Sequence, residues 1–302
     1  MMQSDFSSIF QVILTEGHIF SEHAGLSGTK LRRVRPIQYA IHWLYGVSEP
    51  VILRIVDYIL SIRFLTETVI GKKILYGIAA ASWYFPHGVV ISTSAAERMV
   101  DFIERSEGPK GARIAVGPCV CQMALKRWQE PCKKDMVLLY GADIYYHLNM
   151  GYELISAERA KEILRECDAA GLVHAVEFCL RSGKWVFVIC NCDDKICAPT
   201  RVFLHTGRML FPGPEIVAHE RKRCIGTEKC GKCLERCIFG VNSAGGDGKE
   251  AVDYEKCMGC GLCVPTCLGT ARTMVKRDDY CHEHQVPAGI LLGEDEQSAS
   301  VP

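Results

Sequence analysis

The sequence has no excess of either charge, since 35 basic and 35 acidic side chains balance over 302 residues. A neutral chain is not expected to hold nucleic acid or anionic lipid through bulk charge, so we predict no nucleic-acid partner. No glycine-rich phosphate loop or dinucleotide loop follows a predicted strand, which argues against nucleotide, flavin and nicotinamide cofactors. The first residues also lack the basic segment and the small-residue cleavage site of a secretory signal, so we expect no export.

Cysteine is absent from the first 118 residues and abundant afterwards. All 17 cysteines lie between Cys119 and Cys281. Disulfide frameworks belong mainly to small secreted domains, whereas clustered thiols in a larger chain without an export signal more often bind metal. We therefore predict a metal-binding protein of the reducing cytoplasm.

The N-terminal part is apolar and has few turn signals. Residues 51–70 predict one helix on which Arg54, Asp57 and Ser61 form a narrow polar stripe. Residues 74–91 carry no formal charge, but Pro86 and its neighbours predict a short buried helix followed by a strand. We interpret residues 1–86 as an apolar helical docking region for partner subunits. Membrane association is the less favoured alternative.

The rest of the chain predicts an α+β fold with a small mixed α/β middle domain over residues 87–212. A capping box at Ser94 predicts a helix to about residue 106, and Ser156 predicts another that ends at Gly171. Residues 112–116 and 136–140 are predicted strands, and residues 172–178 and 185–190 a hairpin. The segment 211–214 is a predicted linker. It precedes a cysteine-rich domain, residues 213–286, and a mobile tail, residues 287–302.

The cysteine-rich domain contains the strongest motif, Cys257-x2-Cys260-x2-Cys263-x3-Cys267. Three thiolates on a tight loop can cap one face of a [4Fe-4S] cluster, and the fourth then points to a neighbouring cluster. Glycines at positions 259 and 261 allow the close turns that this loop needs. An imperfect copy lies upstream, with the cysteines at positions Cys224, Cys230, Cys233 and Cys237.

On these motifs, residues from about 220 to 276 resemble a bacterial-type 2[4Fe-4S] ferredoxin domain. The crossed ligation of that family implies one cluster on Cys224, Cys230, Cys233 and Cys267, and a second on Cys257, Cys260, Cys263 and Cys237. The sequence departs from the family in an insertion, residues 227–229, and in lacking proline after each fourth cysteine. A pair of zinc knuckles is the alternative, although it normally requires two Cys-x2-Cys pairs per metal.

A second cysteine group lies in the middle domain. Its members are Cys119, Cys121, Cys132, Cys190, Cys192 and Cys197. Two Cys-x-Cys pairs at predicted strand ends could converge on one centre, either a third [4Fe-4S] cluster or zinc. The alternative is that these are small buried core residues, as we expect for Cys167 and Cys179.

Residues 87–276 also resemble a group of iron–sulfur proteins of anaerobes. The segments that carry this resemblance are Pro118–Cys121, Ala170–His174 and Ile189–Cys192. The resemblance implies redox work without naming a substrate. Members of that group have more cysteines after the third segment, where this chain has Asp193 and Asp194.

These features predict an iron–sulfur electron-transfer protein, the relay subunit of a larger anaerobic oxidoreductase complex. Its partners would be the donor and acceptor redox subunits, and no catalytic residue is identified. One alternative is a redox enzyme whose active site is a metal or cluster at the middle cysteine group, supplied with electrons by the ferredoxin-like domain. Another is a zinc-stabilised redox-sensing module.

Overall fold

The protein has a mixed α/β structure built on a seven-stranded mixed sheet. The structure is a computed structural model that describes residues 36–80, 86–107, 114–138, 142, 145–146, 150–179, 186–280 and 288–293. The predicted docking region is therefore described only from residue 36 onward.

Three helices form the N-terminal part: α1 (Pro36–Ser61), α2 (Arg63–Glu67) and α3 (Val69–Ala80). The prediction of one continuous helix over residues 51–70 is wrong, because the chain turns at Ile62 and again at Thr68. Glycine at position 71 allows α3 to pack closely against α2, since a Cβ there would lie 1.8 Å from the carbonyl oxygen of Phe64. The predicted helix-then-strand order of residues 74–91 is confirmed, but the helix is not buried as predicted, because Ile74, Tyr76 and Ile78 are exposed.

The predicted polar stripe of α1 is exposed at Arg54 and Ser61, but Asp57 is partly buried. Arg54 donates to the carbonyl of Ala124 at 2.8 Å, and Asp57 pairs with both Arg127 and Arg201. These charge-assisted contacts attach α1 to the middle of the chain.

The central sheet has the strand order β4-β2-β3-β6-β5-β1-β7, and all neighbours are antiparallel except β1 and β7. The predicted hairpin of residues 172–190 is confirmed as β5–β6. The strands are β1 (Pro86–Ile91), β2 (Ile114–Pro118), β3 (Lys133–Leu138), β4 (Glu153–Ile155), β5 (Val173–Cys179), β6 (Val186–Cys192) and β7 (Leu210–Phe211).

Two helices cover one face of this sheet: α4 (Thr93–Glu107) and α6 (Ala157–Ala169). Ser156 caps α6 as predicted, because its side chain accepts the N–H of Arg159. The cap of α4 is Ser92 rather than the predicted Ser94, since the Ser92 hydroxyl accepts the N–H of Ala95 at 3.1 Å. The apolar core lies between these helices and the sheet and includes Cys167, which confirms the expectation for that residue.

The opposite face of the sheet carries α1 and two shorter helices, α5 (Val120–Leu125) and α7 (Ala198–Thr206). Leu53 of α1 packs here in an apolar cluster with Val120 and Ala198. The same face holds Cys190 and Cys192, because alternate residues of a strand point to the same side. This arrangement encloses a chamber between α1 and the sheet.

The cysteine-rich part packs beside that chamber. Its elements are β8 (Glu215–His219), α8 (Lys232–Arg236), β9 (Asn242–Ala244), β10 (Glu250–Val252) and β11 (Arg272–Lys276), with short 3-10 turns at Arg221–Arg223 and Tyr254–Lys256. β8 pairs with β11, and β9 with β10. The predicted linker is anchored, since Gly213 donates to the carbonyl of Met258 at 3.0 Å.

The predicted mobile tail is wrong for its first residues. Ala288–Leu292 form helix α9, and Leu291 is fully buried in the core against α4. Arg98 of α4 donates to the Leu291 carbonyl at 2.5 Å. The buried leucine side chain and the hydrogen bond to its carbonyl both stabilise this single helical turn against the core.

An apolar stripe on α1 stays exposed, formed by residues at helical spacing: Leu44, Val47, Val51, Ile55 and Tyr58. Val69 and Ile70 of α3 are also largely exposed, at 74% and 67%. Apolar surface of this extent is typical of interaction sites. Among the described helices, none has the length and apolarity needed to cross a bilayer.

Candidate functional site

The first of three cysteine-lined cavities lies at the edge of the β8–β11 pair. Its cysteines are Cys224, Cys230, Cys233 and Cys267. The insertion at residues 227–229 is accommodated in a fixed loop, because the N–H of Thr227 donates to the carbonyl of Gly248 at 2.9 Å. Gly226 permits the turn before it, with a φ of +98°.

The second cavity lies within the cysteine-rich part, next to the apolar residues that pack on the central sheet. Its cysteines are Cys237, Cys257, Cys260 and Cys263. Gly259 has a φ of +80°, and a Cβ at that position would lie 2.1 Å from the carbonyl oxygen of Glu215. Only glycine fits this close approach, so the loop conformation around the thiols depends on it.

The fourth cysteine of each sequence motif lines the cavity of the other motif. Cys267 joins the three upstream cysteines, and Cys237 joins the three downstream ones. This is the grouping that crossed ligation implies. Five of the eight cysteines also belong to one apolar cluster that spans both cavities, so the two sites are close neighbours in a weakly polar setting.

Each cavity has a guanidinium at its wall. Beside the first, Arg272 is buried and pairs with Glu250, and both side chains are only 1% exposed. Beside the second, Arg236 donates to the carbonyls of Asp168 and Ala169. In both residues one buried nitrogen has no hydrogen-bond partner among the described residues, Nη1 of Arg272 and Nε of Arg236. An unpartnered buried N–H beside four thiols fits an anionic group in the cavity.

The thiols themselves need a cation to ionise. Burial raises the pKa of the Cys260 thiol to about 12, and it also raises the pKa of Cys263 and of Cys233. Such groups stay protonated near neutral pH unless a metal replaces the proton. Burial lowers the pKa of Arg272, and neighbouring Cys233 and Cys237 oppose that change.

The donor set fits an iron–sulfur cluster in each of these two cavities. Across the described part of the chain, no set of three or more His, Cys, Asp or Glu side chains is arranged to hold a single metal ion. A [4Fe-4S] cluster makes a different demand, because its four thiolates bind separate iron corners around a cavity. Four cysteines and one guanidinium around each cavity meet that demand.

The third cavity is the chamber between α1 and the central sheet, with a volume of about 180 Å³. Five cysteines line it: Cys119, Cys121, Cys190, Cys192 and Cys197. Cys119 and Cys197 are the residues immediately before α5 and α7, so two strand-to-helix junctions far apart in sequence meet here. None of the fifteen cysteines that the structure describes forms a disulfide.

The chamber thiols lie close enough to perturb one another's ionisation. Cys121 interacts with Cys119 and Cys197, and Cys192 interacts with Cys190 and Cys197. Cys197 is therefore the common neighbour of the two groups. The Cys121 and Cys192 thiols hold the pKa of Cys197 well below its usual range, which favours its thiolate.

Of the six cysteines grouped from the sequence, Cys132 does not line the chamber. Its Sγ donates to Glu130 Oε1 at 3.4 Å instead. Asp193 shapes the turn that returns Cys197 to the chamber. Its Oδ1 accepts the N–H of Lys195 at 2.7 Å and that of Ile196 at 2.5 Å.

The other half of the chamber is acidic, and sequence reasoning missed it. Glu49 of α1, Asp135 of β3 and Glu177 of β5 line it together with Tyr145. Burial raises the pKa of Asp135 to about 6 and the pKa of Glu177 to about 7. Tyr152 donates to Asp135 at 2.5 Å. The sequence signal for it was a single acidic residue within each of two apolar strands, Asp135 and Glu177. Buried acidic side chains are rare unless they pair with another polar group.

Comparison with known proteins gives no family assignment. No family model, no curated protein and no solved structure matches the chain.

Proposed function

We propose that the chain is an iron–sulfur electron-transfer protein whose residues 221–276 hold two [4Fe-4S] clusters. The observation that carries this proposal is the grouping of eight cysteines into two sets of four, with the fourth member of each motif exchanged between the sets. A random arrangement of thiols would not reproduce the exchange. Each cluster, when bound, supplies a one-electron couple.

The chain's own residues would tune these couples. The buried Arg272 and the half-buried Arg236 place positive charge and free N–H groups beside the thiols. Gly259 and Gly261 let loop amides approach sulfur closely. Apolar packing around both sites keeps water away and lowers the local dielectric, so that each nearby charge acts more strongly on the potential.

The exposed apolar stripe of α1 favours a relay subunit rather than a free carrier. Five large apolar side chains follow one face of this helix, and each is at least half exposed. We infer that this stripe docks against a donor or acceptor subunit of an anaerobic oxidoreductase complex in the cytoplasm. Membrane-surface contact is the alternative occupant, and liposome flotation of the purified chain would reveal it.

The experiment that tests the electron-transfer proposal uses anaerobically purified protein. Electron paramagnetic resonance after dithionite reduction should show two magnetically interacting clusters. Cys260→Ser should abolish one of them, and Cys167→Ser, at a buried core position that lines none of the three cavities, should leave both in place. A protein that contains zinc and no acid-labile sulfide would overturn the proposal.

The acidic half of the chamber favours a second candidate, a reductase that receives electrons from the two clusters. Buried carboxyl groups with raised pKa values stand next to thiols, as expected where protons accompany electrons. A metal centre there with fewer than four thiolates would bind an added small ligand such as cyanide. A spectrum of the reduced protein that cyanide does not change would exclude this candidate.

A further inference from the structure

The chamber between α1 and the central sheet contains more free thiol groups than core packing explains. Buried cysteines in a core normally fill space among carbon atoms, as Cys167 does. Here five cysteines instead surround about 180 Å³ of open volume, and they come from two separate strand-to-helix junctions. Protein interiors rarely leave such a space unless something fills it.

We propose that this chamber holds a third [4Fe-4S] cluster, ligated by Cys119, Cys121, Cys192 and Cys197. These four thiols all line the chamber, two from each strand-to-helix junction. The junction between β2 and α5 contributes Cys119 and Cys121, and the junction between β6 and α7 contributes Cys192 and Cys197. The ligand set would therefore be complete only when all four elements are folded.

The N-terminus of α7 favours an anionic occupant. α7 has nine residues, and Cys197 is its N-cap. Thr200, at the third helical position, is fully buried beside Cys197, and its hydroxyl has no hydrogen-bond partner among the described residues. Helix N-termini stabilise thiolates and anionic clusters through such N–H groups and the helix dipole.

Cys190 is the thiol left out of the ligand set. Its Sγ donates to Asp135 Oδ1 at 3.5 Å, so it is turned toward the acidic half of the chamber. It therefore lies between the cluster site and the carboxyl groups. Cys132 is excluded because it lies outside the chamber.

The chamber and the second cavity are neighbours along one face of the sheet. Val173 is the cross-strand neighbour of Cys192, and it packs in the apolar cluster that contains Cys257. On α7, Val202 lines the chamber, and the next residue, Phe203, makes an edge-to-face contact with Phe239 of the second cavity, with ring centroids 5.7 Å apart. If the third cluster receives electrons from the second cavity, that role rests on the proposed function of residues 221–276. The proposal that the chamber binds a cluster does not rest on it.

The test is a count of iron and acid-labile sulfide on the anaerobically purified full chain. We expect about twelve of each per chain in the wild type and in the matched control Cys132→Ser, and about eight in Cys192→Ser/Cys197→Ser. The double variant should keep the spectrum of the two interacting clusters. Cys119→Ser should lose the third cluster, and Cys190→Ser should retain it.

The outcomes separate this inference from the proposed function. About eight irons in the wild type, with the two-cluster spectrum intact, would overturn the third cluster alone. Eight irons with one added zinc and no added sulfide would overturn it as an iron–sulfur site. A wild type without sulfide would overturn both proposals. Loss of iron in Cys190→Ser but not in Cys119→Ser would overturn the ligand assignment. The iron and sulfide content of the wild type tests the inference even if a variant fails to fold.

Discussion

Arg272 is expected to set the reduction potential of the cluster in the first cavity. Its guanidinium is buried, pairs with Glu250 and hydrogen-bonds with the Cys233 sulfur. Arg272→Met keeps an unbranched side chain of similar length and removes only the charge and the donors. Because reduction adds negative charge to the cluster, loss of this cation should make reduction harder.

The magnitude follows from the separation of the charges. A unit charge about 6 Å from the cluster, at an effective dielectric constant of about 20, is worth about 3 kcal/mol. For a one-electron couple this is roughly 130 mV, so the potential of that cluster should fall by about that amount. The variant also leaves Glu250 buried without its cation, which should cost about 3–5 kcal/mol of stability.

The assay is a redox titration followed by electron paramagnetic resonance, together with the urea midpoint for cluster loss. Arg236→Met is the matched control, since it should lower the potential of the other cluster instead. Arg272→Met/Glu250→Leu removes the pair together, so it should restore most of the stability and reduce the shift in potential. If Arg272→Met left both potentials within about 20 mV of the wild type, the electrostatic reasoning would be refuted.

Three further predictions concern the loop, the sheet and the docking surface. Gly259→Ala places a Cβ 2.1 Å from a backbone carbonyl oxygen and should lose one cluster by iron count, whereas Gly246→Ala, with open space around it, should lose none. Burial lowers the pKa of His174 below 6.5, so its contribution to stability is present above pH 6.5 and lost as pH falls below that value. The wild type should therefore lose about 1 kcal/mol more than His174→Gln between pH 6.5 and 5.5, and equal losses in denaturant titrations would contradict this. The double variant Val51→Asp/Ile55→Asp changes two side chains on the exposed face of α1. It should change the free energy of unfolding by less than about 0.5 kcal/mol and abolish co-purification with partner subunits. Unchanged co-purification would exclude this docking face.

The sequence predicted those features that depend on local spacing. The eight-cysteine motif, the cap at Ser156 and the β5–β6 hairpin each rest on a few neighbouring residues with strong conformational or chemical preferences. Pro50 shows the limit of such rules, because it lies inside α1 without ending it. The helix instead ends at Ser61, where close packing near Gly71 turns the chain.

The features that the sequence did not predict depend on contacts between distant residues. Asp57 meets Arg201 across 144 positions, so one residue of an exposed stripe becomes part of an internal contact. The acidic half of the chamber forms only when α1, β3 and β5 come together, and no local sequence pattern predicts it. Arg272 likewise acquires its place beside the thiols through the pairing of β11 with β8.

The most direct test of the account is the spectrum of the anaerobically purified, dithionite-reduced chain, measured together with its iron and sulfide content. Two clusters as close as the neighbouring cavities require should interact magnetically, and Cys237→Ser should remove the interaction by disrupting the cavity that contains Cys257, Cys260 and Cys263. The account predicts that result, with at least about eight irons and eight sulfides per chain. Zinc without sulfide, or a Cys237→Ser variant that instead lost the cluster of the first cavity, would contradict it.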